Sequence, residues 1–399
     1  NSFPKQKIRN IYLFPYKEAF SRDLVLKLID DFKLKEGDYI LEPFCGIGTT
    51  LIASREKGIS SYGFDIMPIC KFITEVKIHA CDYDTKKIKK YLNILLQNKL
   101  TLDDDIHIPD LKIINKAFSS LNDFKEILTF KKAILNLIKN GIYRDIMILG
   151  LLSIVEKISN TKKDGAFLRI FERKDKKDIK ELYKSQIEKY IIDLDNLEQD
   201  LFVNNYCKYK VDNKVFCGDA RKIKINKKFN AVITSPPYLN RYDYTRTYAL
   251  EMAVNFINSF NDLRQIRHNT IRSHVEAKYD KSSKVTSKIL KDCLDKIKVS
   301  KLNNTKIPEM IQGYFEDMYL VLERIKRHII KGGYIAFVVG TVRYSGINIP
   351  VDIILAQIGE QLGFSLDRII VARIKGNSEQ QRKKYGENPT RESIVIWKV

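Results

Sequence analysis

The 399 residues predict an α/β fold: a mostly parallel sheet with an antiparallel C-terminal hairpin, interrupted by helical insertions. Three observations predict it. Strand, Gly-containing loop, helix and strand follow one another in residues 38–68. Short apolar strands return after residue 214. The stretches between carry helical periodicity or dense charge instead.

The first unit reads "DYILEPFCGIGTTLIASREKGISSYGFDIMP". It predicts a strand at Tyr39–Glu42, a tight loop at Pro43–Gly48, a helix over 49–57, a turn at Gly58 and a strand over 61–65. That order is a βαβ unit of a parallel sheet. Gly46 and Gly48 let the backbone turn sharply and approach a ligand closely. The free N–H groups that open the helix face the same spot. Asp65 ends the second strand about twenty residues on, where a carboxylate can take both hydroxyls of a ribose. The five features in this order say far more than Gly-x-Gly alone.

Residues 83–205 read as an inserted helical subdomain. "KKIKKYLNILLQNKL" and "KSQIEKYIIDLDNLEQDLF" place apolar residues at helical spacing above charged faces, and 100–110 read as a loop. The α/β pattern resumes in 206–257. "KVFCGDARKI" gives a short strand that leads into Gly218 and Asp219. In "AVITSPPYLNRYDY" four strand residues run straight into Ser235, Pro236, Pro237 and Tyr238. Two prolines fix φ and end the strand at once, and the residue before each is pushed out of the α region. The result is a stiff corner at a strand's C-terminal edge. Alone it is an ordinary turn. It could equally be a slot that holds a flat polar ring, with Ser235 and a backbone carbonyl facing one edge.

Residues 258–310 break the pattern again. Within 268–306 there are 10 Lys plus Arg against 4 Asp plus Glu, which is a solvated face or a surface turned to substrate. Residues 311–399 complete the sheet. A helix over about 311–330 is predicted to stop at Gly332 and Gly333. A strand over 334–340 follows, then a helix with Pro350 near its start. The strand "SLDRIIVARI", a polar loop and the strand "IVIWKV" read as the hairpin. These divisions give core segments 1–82, 206–257 and 311–399, with insertions 83–205 and 258–310.

Net charge is +21, with 70 basic against 49 acidic residues, and points to a polyanion partner; a general lysine-rich bias is the alternative. No apolar run approaches the roughly 20 residues of a membrane helix. The N-terminal residues show no signal-peptide apolar region, so a cytoplasmic protein is expected. The six cysteines form no Cys-x-x-Cys pair or Cys/His cluster, so no metal is expected and the thiols read as reduced and separate.

"EPFCGIGTT" followed downstream by "TSPPYLNRYDY" resembles the DNA amino-methyltransferases, which move a methyl group from S-adenosylmethionine to an exocyclic base nitrogen. The resemblance covers both α/β blocks and not 83–205. It implies a Rossmann-like class I methyltransferase fold. Phe44, Cys45, Gly46, Ile47 and Gly48, flanked by Glu42 and Thr49, would cradle the methionine part of the cofactor. Asp65 would hold the ribose, with Ile66 beside the adenine and Asp219 and Ala220 near its amino group. "YLFPYKEAF", residues 12–20, resembles the family's N-terminal motif.

Ser235, Pro236, Pro237 and Tyr238 match the catalytic tetrapeptide. The Ser235 hydroxyl and the Pro236 carbonyl would bind the amine of a flipped-out base, and Tyr238 would stack on it. Serine at this position goes with cytosine-N4 in the family; Asp or Asn goes with adenine-N6. Cytosine-C5 chemistry needs a cysteine, usually after proline, and no Pro-Cys is present. Duplex DNA is the expected partner. Arg241, Tyr242, Asn377, Gln380, Gln381 and Arg391 are of types that contact bases or phosphates.

The expected protein is the cytosine-N4 modification enzyme of a restriction system, at the nucleoid, without stable binding to its endonuclease. Adenine-N6 methylation, RNA amino-methylation and a non-catalytic DNA-binding role stay open. So do humbler roles for single residues. Asp219 could cap a turn, Cys45 reads as a small buried residue, Tyr242 and Tyr244 as core aromatics, and His274 as structural or backbone-contacting.

Overall fold

The computed structural model describes residues 14, 20–103, 105–165, 167–172, 178–199, 207–278, 285–376, 386 and 389–399. Its main sheet has seven strands, labelled in chain order: β1 (Tyr39–Glu42), β2 (Ser60–Asp65), β3 (Lys214–Cys217), β4 (Phe229–Thr234), β5 (Ile329–Gly340), β6 (Ser365–Lys375) and β7 (Thr390–Lys398). Their spatial order is β6-β7-β5-β4-β1-β2-β3. Pairings from β5 to β3 are parallel, and β7 pairs antiparallel with both β5 and β6. The predicted fold, with its C-terminal hairpin, is the one observed.

Alternation along the strands explains the two layers of helices. Ile40, Ala231 and Ile233 point to one face, Leu41 and Val232 to the other. The first face packs on Val25, Leu28 and Ile29 of α1 (Arg22–Asp31). The second packs on two helices of the last third, Ile307–Lys326 and Val351–Gln361. Strands buried on both faces favour runs of apolar residues, as Ala231, Val232 and Ile233 provide.

Several expectations are corrected. The helix before β5 ends at Lys326, not near 330, and Gly332 and Gly333 do not stop it. Both glycines lie inside β5, where three residues of β4 (Phe229 to Ala231) are matched by six of β5 (Ile329 to Tyr334). Gly332 takes φ +80° there, and a side chain on Gly333 would meet the Asn230 carbonyl at 2.8 Å. The glycines serve a bulge.

Residues 83–205 are mainly helical but contain a hairpin, Thr161–Asp164 with Phe167–Ile170, turned at Gly165. Its Lys-rich first strand lacks a strand-forming composition. Lys163 nonetheless points inward, ion-paired to Glu251 at 2.5 Å and 4.1 Å from the centre of the Tyr248 ring. The insertion shares one apolar core with the helix Pro68–Ile78 and with residues 248–263 beyond the proline corner. Cys81 and Cys207, expected as separate thiols, form a disulfide. The fold brings the two ends of the insertion together, which residue spacing does not reveal.

Candidate active site

β1 has β2 on one side and β4 on the other. The strand order therefore reverses at β1, and a crevice opens beyond the strand ends at such a switch point. The loop after β1 and the proline corner after β4 both reach it. They line one cleft.

The loop after β1 is shaped by local bonds. Cys45 N–H donates to the Phe64 carbonyl at 2.8 Å, and Gly48 N–H to the Cys45 carbonyl at 2.7 Å. Gly48 takes φ +81°, and a Cβ there would lie 2.5 Å from Thr74 Cγ2. Thr74 Oγ1 donates to the Gly46 carbonyl at 3.0 Å, and Lys77 Nζ to the Ile47 carbonyl at 3.1 Å. Burial pushes the Lys77 ammonium down to about 7. Asp65 accepts from Gly46 N–H at 3.0 Å and Met67 N–H at 2.8 Å, one per oxygen. Burial raises its carboxyl to about 6 against those two bonds. Each oxygen keeps lone-pair capacity for a diol.

Phe44, Cys45, Gly46, Thr49, Asp65, Ile66, Asp219 and Ala220 line the cleft, as do Ser235 and Pro237. Cys45 is buried, and burial drives its thiol far up. Glu42 lies beneath the cleft instead of in its wall. It is fully buried and accepts from Thr50 Oγ1 at 2.6 Å, from Phe44 N–H at 3.2 Å and from the Thr234 hydroxyl. Burial raises it to about 7. Asp219 does cap a turn, accepting from Arg221 N–H at 2.9 Å, and forms part of the cleft wall at the same time.

At the corner, Ser235 Oγ donates to the Val338 carbonyl at 3.1 Å. Tyr238 OH donates to Glu392 Oε1 at 2.5 Å, and Glu392 also pairs with Arg373. Burial first, then Glu392, raises the phenol far above its ordinary value. The Tyr238 ring lies over Gly340, where a Cβ would approach Cδ2 to 3.1 Å.

Arg241 takes φ +67°, and its guanidinium donates to Asn303 Oδ1 at 3.2 Å. The Tyr242 ring packs 4.7 Å from that of Tyr244, which lines the cleft. Arg391 is drawn inward, with Nε 2.7 Å from the buried Asp352 carboxylate. Asn377, Gln380 and Gln381 lie outside the described residues. Of the N-terminal motif, Phe14 and Phe20 are described; Phe20 lines the cleft and Phe14 is buried, its ring 6.4 Å from that of Tyr248.

Sequence reasoning left residues 268–306 as a solvated face or a surface turned to substrate and gave none of them a site role; Asn269, Thr270, Ile271, Ser273 and His274 form a second wall of the cleft. Buried charge holds it. Asp317 accepts from Arg272 N–H at 2.8 Å, and both Arg221 and Arg272 pair with its carboxylate, at 3.0 and 2.8 Å. Arg221 also donates to the Asn269 carbonyl at 2.6 Å. Gly313 leaves room, since a Cβ there would lie 2.6 Å from Arg272 Cδ. The signal in the sequence was faint: arginines and a helical glycine many residues apart.

Relatives resolve the family. Residues 2–75 match the DNA methylase family. The Type II methyltransferase M.AvaI of Nostoc is 32% identical, over 100% of this chain and 88% of the relative. M.BsoBI of Geobacillus stearothermophilus is 33% identical, over 96% and 84%. The chain belongs to the Type II DNA methyltransferases. M.MjaII of Methanocaldococcus jannaschii matches a shorter part, 35% identical over 32% of this chain and 25% of its own length. The methyl donor of this methyltransferase is S-adenosylmethionine. The cleft suits that molecule: a loop turned by Gly46 and Gly48 at positive φ, a carboxylate with spare lone pairs and a mainly apolar lining. Among the described residues no helix is long and apolar enough to cross a membrane.

Proposed function

We propose that the cleft joins cofactor and target base, and that the target is the exocyclic N4 of a flipped-out cytosine in duplex DNA. One observation carries the reading: Ser235 sits in the cleft wall beside the β1 loop and spends its only proton on the Val338 carbonyl. Its remaining capacity is as an acceptor, which suits an amine N–H of cytosine or adenine alike; the choice of cytosine rests on serine heading the tetrapeptide. S-adenosylmethionine supplies a methyl group already activated by its sulfonium. The residues then need to position the amine and free its lone pair from the ring. Ser235 Oγ and the Pro236 carbonyl accept the two amine N–H bonds and favour a tetrahedral nitrogen. Tyr238, held by Glu392, stacks on the extruded ring.

Asp65 takes the ribose hydroxyls, and Phe44 to Thr49 hold the methionine part. Ile66, Asp219 and Ala220 border the adenine. Glu42 supports the loop from below through Thr50, Thr234 and Phe44. The net charge of +21 supports a phosphate-tracking surface, to which Arg241 and Tyr242 belong. Recognition of the target site falls to segments outside the shared core, and a restriction endonuclease of the same specificity would act separately.

The test is nucleoside mass spectrometry of DNA from a methylation-free host expressing this chain or Ser235→Ala. N4-methylcytosine with the intact chain and none with the variant is expected. N6-methyladenine would overturn the choice of base, and a fully active Ser235→Ala would overturn the slot.

A further inference from the structure

We propose that His274 is a further ligand-binding residue of the cleft: its Nδ1 accepts a hydrogen bond from an amino group bound there. That amino group is the α-ammonium of S-adenosylmethionine or the exocyclic amine of the target base. The inference rests on the cleft being the cofactor and base site.

Hydrogen-bond bookkeeping leads to it. His274 lines the cleft and is only 4% exposed. Its Nε2 lies 2.9 Å from Thr270 Oγ1, while Nδ1 is buried with no partner. Thr270 Oγ1 donates its one proton to the Arg267 carbonyl at 2.7 Å, so towards the imidazole it can only accept. Nε2 therefore carries the hydrogen. Burial, aided by Arg267 and opposed by Asp243 and Glu276, holds the ring below its ordinary pKa and so neutral. In a neutral ring with Nε2 protonated, Nδ1 is a bare acceptor.

A buried acceptor left unmet is costly, and such atoms are uncommon in folded proteins. Its natural complement is an N–H donor arriving with substrate. The ring's setting is built for alignment: Arg267 Nε pairs with Asp243 at 2.9 Å and donates to Thr245 Oγ1 at 2.9 Å. Asp243 lies just beyond the proline corner, so the imidazole is tied to the same segment that carries Ser235.

Two variants separate an acceptor from mere packing. His274→Phe keeps a ring without nitrogen; His274→Asn restores an acceptor close to the Nδ1 position. Calorimetry without DNA reads the cofactor Kd, and steady-state kinetics with duplex DNA reads kcat and KM. If the partner is the cofactor ammonium, His274→Phe raises that Kd about tenfold and His274→Asn recovers most of it. If the partner is the target amine, Kd stays put, kcat falls about tenfold in His274→Phe, and His274→Asn again recovers. Unchanged Kd and kcat in His274→Phe, or equal losses in both variants, would overturn the proposal.

Should His274→Phe not fold, the ¹⁵N shift of Nδ1 in the unaltered protein decides. Movement on adding S-adenosylhomocysteine, or that molecule plus DNA, supports the proposal; no movement with either overturns it. Asp65→Ala runs alongside. If it too leaves the cofactor Kd unchanged, the cleft reading has failed, whereas a weakened Kd in Asp65→Ala with both Kd and kcat unchanged in His274→Phe condemns only the role of His274.

Discussion

Residues 43–67 and residues 269–274 line the same cleft, yet they are held by different means. The first wall is fastened by neutral or singly charged bonds between near neighbours: Gly46 to Asp65, 19 residues apart, and Lys77 to Ile47, 30 apart. The second hangs from a buried cluster of Arg221, Arg272 and Asp317, its links spanning 45 residues from Arg272 to Asp317 and 48 from Arg221 to Asn269. A local wall forms almost as its own turn and helix form. A distant one exists only once the sheet and the helix Ile307–Lys326 are in place. Its buried charges are costly individually and tolerable only as a set.

The largest test of that contrast is Asp317→Ala. Asp317 is fully buried between two guanidinium groups, and its loss removes the carboxylate they share, leaving Arg221 with Asp219 and Arg272 with Glu316. A loss of roughly 3–5 kcal/mol in urea denaturation is expected. Hydrogen exchange should rise in 269–276 more than in 43–67. Equal change in both segments would erase the distinction between the walls.

Glu42→Gln probes the first wall. The carboxyl is raised from 4.5 to about 7 by burial, so the folded protein keeps its proton to higher pH than the unfolded chain does. The associated stability is complete below about pH 4.5 and is lost as pH rises through 7. Gln cannot ionise. The stability of the unaltered protein relative to the variant should therefore fall by about 3 kcal/mol across that window. A difference independent of pH would mean that Thr50, Thr234 and Phe44 hold the group ionised throughout.

The smallest effect is expected at the corner between the walls. Tyr238→Phe keeps the ring and loses the hydroxyl's bonds to Glu392, which retains Arg373, and to Ser235. About 1 kcal/mol of stability and a several-fold drop in kcat are expected, measured by thermal melts and methyl-transfer assays. A collapse of activity would give the hydroxyl a part beyond holding the ring.

The same contrast explains what was legible. β1, its loop, β2 and the run into Ser235 could be read because strand, glycine, helix and acid are adjacent in the chain. The run "AVIT" into two prolines marked a strand that stops at the corner, as it does at Thr234. The second wall could be read only as far as a solvated face or a surface turned to substrate, because nothing in "NTIRSH" indicates that Asp317 will receive Arg272. Gly332 was misjudged because a left-handed residue serves a helix stop and a strand bulge equally well. The hairpin Thr161–Asp164/Phe167–Ile170 hid behind two lysines, of which Lys163 turns inward to Glu251 and Tyr248.

The Cys81–Cys207 bond bears on how any of these numbers is obtained. It joins residues 126 apart and so tethers the unfolded chain as well as the folded one. On chain-entropy grounds a loop of that length is worth about 5 kcal/mol. A sample kept in reductant and a sample left to air are then two materials with different melting points. A variant compared across that divide would inherit a difference that belongs to the bottle and not to the mutation.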